Sequence, residues 1–165
     1  MNNYLADQYF HQGNFDQAVN AFDRVTIINP VGIEPYSTAA WLLWSSGKND
    51  QALDFYQRMI AANPNNPDGY FELGLFYVRL HNDTEAVKWL GRAVQLGLRA
   101  PKNHLYGLAL TRLGRNEEAL AFWRQVLADS PNDEIAQREI GRLTNKDKDK
   151  PPTQPAAPQQ TPNKK

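Results

Sequence analysis

The chain has 165 residues, and its 18 basic and 18 acidic side chains give a formal net charge of zero. A protein that binds nucleic acid through the phosphates needs a basic surplus, so this balance argues against that class of partner. No run of about 18 apolar residues occurs, which argues against a transmembrane helix, and the absence of cysteine excludes disulfides and thiolate metal sites.

The chain begins with the residues MNNYLADQYF, which contain neither the basic nor the apolar region of a signal peptide. If Met1 is the true start, we expect a cytoplasmic protein that does not insert into membranes. The polar side chains of Asp7, Gln8 and His11 suit an exposed end of the first helix.

Small and bulky residues return along the chain at a nearly constant interval. Ala18, Ala52 and Ala86 are spaced by 34 residues, and Ala119 follows after 33. Four further positions recur around these alanines. A small residue lies twelve before (Ala6, Ala40, Gly74 and Gly107), and a glycine lies five before (Gly13, Gly47 and Gly114). A bulky residue lies four after (Phe22, Tyr56, Leu90 and Trp123), and a proline lies twelve after (Pro30, Pro64 and Pro131). The third unit departs twice, with His81 and Leu98 at the glycine and proline positions.

The interval predicts a pair of helices in each unit. The small residue lies where the two helices cross, the glycine ends the first helix in the left-handed conformation, and the proline ends the second. Asn14 and Asn82 are the expected N-caps of second helices. Because one pair cannot bury its apolar face alone, successive pairs are expected to stack.

This pattern resembles the tetratricopeptide repeat family, most clearly in YFELGLFYVRL at residues 70–80, which supplies Tyr70, Leu73, Gly74 and Tyr77 at the family's spacing. The resemblance covers about residues 2–131. It implies an all-α fold, a right-handed superhelix (α-solenoid) of four tandem helix-turn-helix repeats, which a C-terminal capping helix completes.

The boundaries follow from the same register. We expect a repeat domain over 1–145, with repeats at about 2–30, 33–64, 67–98 and 100–131 and a capping helix at 132–145. The one-residue deletion at 95–101 is interpreted as an ordinary loop variant rather than a specialised bend. Residues 146–165 contain five prolines and no large apolar residue, which predicts a disordered tail; a solubilising tail or linker is favoured over a proline-rich recognition segment.

Motifs for chemistry are missing from the sequence. The three histidines share no metal-ligand spacing, and no nucleophile elbow, phosphate-binding loop or zinc-protease motif occurs. We therefore predict a protein that is not an enzyme and that uses no metal or cofactor.

A binding surface is predicted from the resemblance, because first helices line the concave side of such stacks. In the second repeat, Tyr36, Ala39, Ala40 and Leu43 are expected to face the core, which leaves Trp41 and Trp44 on the concave side. Across the four repeats the predicted groove residues are Asp7, Phe10, Trp41, Trp44, Phe71, Leu75, Val78, Arg79, His104, Leu108 and Arg112. The alternative is that superhelical twist packs the tryptophans against a neighbouring helix.

The family's best-known peptide site binds a terminal carboxylate through Lys, Asn and Arg, but the matching positions here hold Asn3, Asp7, Thr38, Phe71 and Glu72. The leading hypothesis is therefore a non-catalytic interaction module whose partner is a protein or peptide with apolar anchors, and which serves as adaptor, scaffold or assembly factor. The alternatives are a self-associating scaffold that forms homo-oligomers and a bacterial secretion-type chaperone.

Overall fold

The computed structural model describes residues 4–148, and these form nine α-helices and no strand. In chain order the helices are α1 (Tyr4–His11), α2 (Phe15–Ile28), α3 (Ile33–Ser45), α4 (Asn49–Ala62), α5 (Pro67–Arg79), α6 (Asp83–Gln95), α7 (His104–Arg112), α8 (Asn116–Asp129) and α9 (Glu134–Lys148). Each of the first four consecutive pairs is one repeat, so the predicted all-α solenoid is confirmed.

The turns inside the repeats have the backbone conformation that the glycines predict. Gly13, Gly47 and Gly114 have φ angles of 73°, 75° and 73°, and His81 takes the same place in the third repeat with a φ of 56°. Asn82 caps α6 through its side-chain oxygen, which accepts a hydrogen bond from the Glu85 N–H at 3.1 Å. Asn14 occupies the N-cap position of α2 as predicted, but its exposed side chain makes no capping hydrogen bond.

Close helix crossings explain the recurring small residue. A Cβ placed on Gly107 would lie 2.4 Å from Cζ2 of Trp123, and one on Gly74 would lie 2.6 Å from Cγ of Leu90. The large residue of the second helix therefore packs directly on the backbone of the first helix, where a side chain would separate the two axes.

The buried side chains form two clusters along the stack. The N-terminal cluster runs from Ala6 to Phe76 and includes the four predicted core residues of α3. The C-terminal cluster runs from Tyr70 to Leu143. Half-buried Ile60, Tyr77 and Trp89 pack against both clusters and join them.

The C-terminal end is covered by α9, as the capping prediction requires. Ala136 and Leu143 of this helix are fully buried, and Oδ1 of Asp133 accepts a hydrogen bond from the Ala136 N–H at 2.9 Å. The helix continues to Lys148, three residues into the predicted tail, and the remainder of that tail lies outside the described residues. Among residues 4–148, no helix combines the length and apolarity needed to cross a bilayer.

Candidate functional site

The first helices of the repeats contact one another along one face of the stack. The Phe10 ring lies edge-on to Trp41 with centroids 6.3 Å apart, which joins α1 to α3. The Arg79 guanidinium lies 5.1 Å from the centroid of Trp44, which joins α5 to α3. The sequence register assigns Phe10, Trp41, Trp44, Leu75, Val78 and Leu108 to this face, which we call the groove.

A pocket opens in the groove between α3 and α5. It has a volume of about 230 Å³ and is lined by Ser37, Thr38, Trp41, Glu72 and Arg79. Trp41 retains 39% of its surface exposed, whereas Trp44 is half-buried beneath the Arg79 guanidinium. The pocket therefore has one aromatic wall and two side chains of opposite charge.

Leu42 and Leu43, which lie between the two tryptophans in sequence, face the core instead of the groove. Leu43 is buried as predicted, and Leu42 is buried as well, although the sequence argument assigned it to neither face. Phe76 and Ala109, two residues after the crossing position like Leu42, are also buried. Comparing the residue two positions after the crossing residue across the last three repeats would have identified it as a further core position.

Two of the predicted groove residues lie in the core, and this corrects the prediction. Phe71 is 8% exposed, with the Lys102 ammonium 5.2 Å from its ring centroid. His104 is 7% exposed; its Nε2 lies 2.8 Å from Oδ2 of Asp133, and its ring packs on Trp123. His104 opens a shortened α7, where the segment leading into α9 covers it, so neither side chain is presented to a partner.

The remaining predicted groove residues differ in burial. Leu75, Val78 and Leu108 are half-buried and pack against the C-terminal cluster. Asp7 and Arg112 are exposed, and the Arg112 guanidinium pairs with Asp83 at 2.6 Å. The predicted groove residues therefore include half-buried apolar side chains and exposed charged ones.

Glu72 is the charged residue of the pocket whose pKa is shifted. Burial raises the pKa of its carboxyl group above the usual range, although the neighbouring cations Arg79 and Lys102 act in the opposite direction. Burial also raises the pKa of Tyr56 to about 12, and the negative charge of Glu72 contributes to that rise. Glu72 makes no hydrogen bond or ion pair with another residue of 4–148. The list of predicted groove residues omits Ser37, Thr38 and Glu72, although the helix register places Ser37 on the concave side and Glu72 at its edge.

A second concavity of about 310 Å³ lies between the start of the fourth repeat and the end of α8, lined by Arg99, Ala100, Asn103, Val126, Asp129 and Ser130. Arg99 and Asp129 form an ion pair of 2.8 Å beside it, and Oδ1 of Asn103 is buried with no hydrogen-bond partner among residues 4–148. Across the described part of the chain, no group of three histidine or acidic side chains is placed to hold a metal ion.

Comparison with known families agrees with this architecture. Three family models, each described as tetratricopeptide repeat, match residues 4–30, 37–101 and 104–125. The chain belongs to the tetratricopeptide repeat family. The matched ranges contain α1, α2 and α4 to α7 in full and most of α3 and α8.

Solved structures share the fold of this tetratricopeptide repeat protein. A crystal structure of MamA superposes with a TM-score of 0.69 at 19% identity and covers 90% of this chain and 86% of that chain. YrrB, described as a TPR protein with an unusual peptide-binding site, gives a TM-score of 0.64 at 21% identity over 87% of this chain and 74% of that one. The first TPR of Spaghetti (RPAP3), bound to the HSP90 peptide SRMEEVD, gives 0.57 at 26% identity over 69% of this chain and 94% of that one.

A curated relative is much longer than this tetratricopeptide repeat protein. It is a UDP-N-acetylglucosamine–peptide N-acetylglucosaminyltransferase of Giardia intestinalis, 28% identical over 94 residues. The match covers 57% of this chain but only 6% of that enzyme, so this chain spans a small part of its length. The transferase activity in its name belongs to that whole protein.

Proposed function

We propose that this chain is a non-catalytic interaction module that holds an apolar peptide or helix of a partner protein in the groove. The observation that carries the proposal is the exposure of Trp41, which is 39% accessible on the wall of the pocket. A tryptophan buries about 150–250 Å² when it is fully packed, so this exposure forgoes about 2 kcal/mol of apolar burial. A ligand that covers the ring would recover that free energy.

The surroundings of Trp41 support an apolar ligand. Half-buried apolar side chains from all four first helices continue the surface on both sides of the ring. Contiguous apolar surface of this kind is typical of interaction sites. YrrB and the Spaghetti domain, which share the fold, are themselves described as peptide-binding.

A second candidate function is self-association, because one apolar patch lies elsewhere. Ile27, Ile28 and Val31 are 71%, 63% and 64% exposed at the end of α2 and in the turn after it. We call these three residues the outer patch. The narrower roles of adaptor, scaffold, assembly factor or secretion-type chaperone, and a cytoplasmic location, remain predictions of the sequence.

Selection from a random peptide display library tests the groove. We expect the wild-type chain to enrich sequences with apolar anchors, and Trp41→Ala to lose them while its helical circular dichroism is retained. Ile28→Ser is the matched control, because it removes an exposed apolar side chain from the outer patch, and it should bind the same peptides as wild type.

Two results would count against the groove. Peptides that bind Trp41→Ala as tightly as wild type would place the site elsewhere. Loss of peptide binding in Ile28→Ser alone would transfer the function to the outer patch. Light scattering over a dilution series separately tests self-association, which a monomer at all micromolar concentrations would exclude.

A further inference from the structure

The cations around the groove are already engaged by groups of the protein. Arg79 lies over the Trp44 ring at 5.1 Å, Lys102 pairs with Asp68 at 2.7 Å, and Arg112 pairs with Asp83 at 2.6 Å. An anionic ligand that bound any of them would displace an existing contact. The partnered cations therefore make an acidic ligand unfavourable at this face.

Two other carboxylates have no cation partner among the described residues. Glu72 lines the pocket without an ion pair, and Glu34, one residue into α3, is exposed and also unpaired within residues 4–148. Arg79 and Lys102 favour the charged form of Glu72, but neither forms an ion pair with it, and burial outweighs them. Because a partly buried charge loses hydration that these cations do not restore, Glu72 carries a cost in the free protein. Its raised pKa has the same cause. A cationic ligand group would offset that cost.

The pocket combines this carboxylate with an aromatic ring. Trp41 and Glu72 line the pocket together with Ser37, Thr38 and Arg79. The Arg79 guanidinium lies against the Trp44 ring, so it does not occupy the space between Trp41 and Glu72 as a partner of the carboxylate. A guanidinium group presents five N–H donors in one plane and also stacks on aromatic faces. It pairs with a carboxylate through charge-assisted hydrogen bonds and gains a cation–π contact with tryptophan.

We infer that the partner segment carries an arginine between its apolar anchors, and that the guanidinium lies in the pocket between Trp41 and Glu72. The inference rests on the proposed function, because it specifies the ligand of that same groove. An acidic anchor that pairs with Arg79 is the competing arrangement. It is disfavoured because Arg79 would have to leave Trp44 and the ligand acid would lie close to Glu72.

The test uses the peptides selected on the wild-type chain, synthesised with each selected arginine and again with citrulline, which keeps the shape and removes the charge. We expect the citrulline peptide to bind wild type about tenfold more weakly, because citrulline cannot form the charge-assisted hydrogen bonds that a guanidinium makes with a carboxylate. Glu72→Gln should bind both peptides equally. Glu117→Gln, which neutralises an exposed acid in the first turn of α8, should behave as wild type.

The outcomes separate the inference from the proposed function. Selected peptides that depend on Trp41 but contain no basic residue, or that contain an acidic one, overturn the inference and leave the groove intact. A citrulline effect that is the same in Glu72→Gln as in wild type also overturns it. If no selected peptide depends on Trp41, the proposed function fails and the inference fails with it. The comparison of arginine and citrulline peptides on the wild-type chain does not depend on whether any variant folds.

Discussion

The two ends of the described stack differ in how far their large apolar side chains are buried. At the N-terminal end, Leu5, Phe15 and the outer patch are exposed. At the C-terminal end, Trp123 of α8 and Leu143 of α9 are fully buried. Because each repeat contacts only its neighbours, a residue is sealed only where another helix packs on it.

A comparison at equal positions sharpens the difference. Thirty-four residues after Ile27 and Ile28, the second repeat has Ala61 and Ala62. The turn between repeats therefore does not require a large apolar side chain at these two positions. Since packing does not account for the isoleucines, the outer patch is a candidate for a contact with another molecule.

The largest expected effect follows from the same substitution made in both halves. Trp123→Ala should lower the free energy of unfolding by about 3–5 kcal/mol, because a fully buried ring leaves a cavity. Trp41→Ala should cost much less, since its ring is already 39% exposed. Urea denaturation followed by circular dichroism measures both, and equal losses would show that Trp41 also belongs to the core.

The helix crossing of the fourth repeat gives the next effect. Gly107→Ala should destabilise by about 1–3 kcal/mol, because the added methyl group overlaps the Trp123 ring. Gly141→Ala is the matched control, since a Cβ there meets nothing within 4 Å and Gly141 lies inside α9. That variant should gain about 0.5–1 kcal/mol from helix propensity. A stable Gly107→Ala would contradict the crossing geometry.

The pH dependence of the unfolding free energy tests the contribution of Asp133, which precedes α9. Burial acts to raise the pKa of Asp133, but hydrogen bonds from the Ala136 N–H and from His104 outweigh it and hold that pKa below its usual range. A lowered native pKa stabilises the fold above the unfolded value of about 3.9, and this contribution is lost as the pH falls through the native value.

Asp133→Asn removes that titration, so wild type should lose more unfolding free energy than the variant as the pH drops below about 4. Asp133→Ala also removes the N-cap of α9 and should cost about 0.5–2 kcal/mol at pH 7. Stability measured by urea titration at several pH values checks both. If the free energy of unfolding falls equally with decreasing pH in wild type and in Asp133→Asn, the lowered pKa of Asp133 does not stabilise the fold.

The smallest expected effect is at the outer patch. The double variant Ile27→Ser with Ile28→Ser should change the free energy of unfolding by no more than about 0.5 kcal/mol, because both side chains are exposed. Thermal unfolding measures the change. A loss of several kcal/mol would show that these side chains support the fold rather than a contact with another molecule.

The repeat interval was sufficient to predict the fold, because the length of a helix pair fixes the spacing of its small, glycine and proline positions. It also predicted the burial of Tyr36, Ala39, Ala40 and Leu43. It failed for His104, whose burial depends on Asp133, 29 residues away and at the start of a different helix. It placed Glu72 at the edge of the groove but not in a pocket beside Trp41, because that pocket is formed by side chains of two adjacent repeats. The binding role of the groove stays a prediction.

The division of the core into two clusters has a mechanical consequence for any ligand of the groove. Trp44 packs on the N-terminal cluster, whereas Leu75 and Val78 pack on the C-terminal one. A bound segment would lie across both and act as a splint that resists bending between the halves. Amide hydrogen exchange should then slow on both sides of α4 and α5 together, including at amides that the ligand never touches.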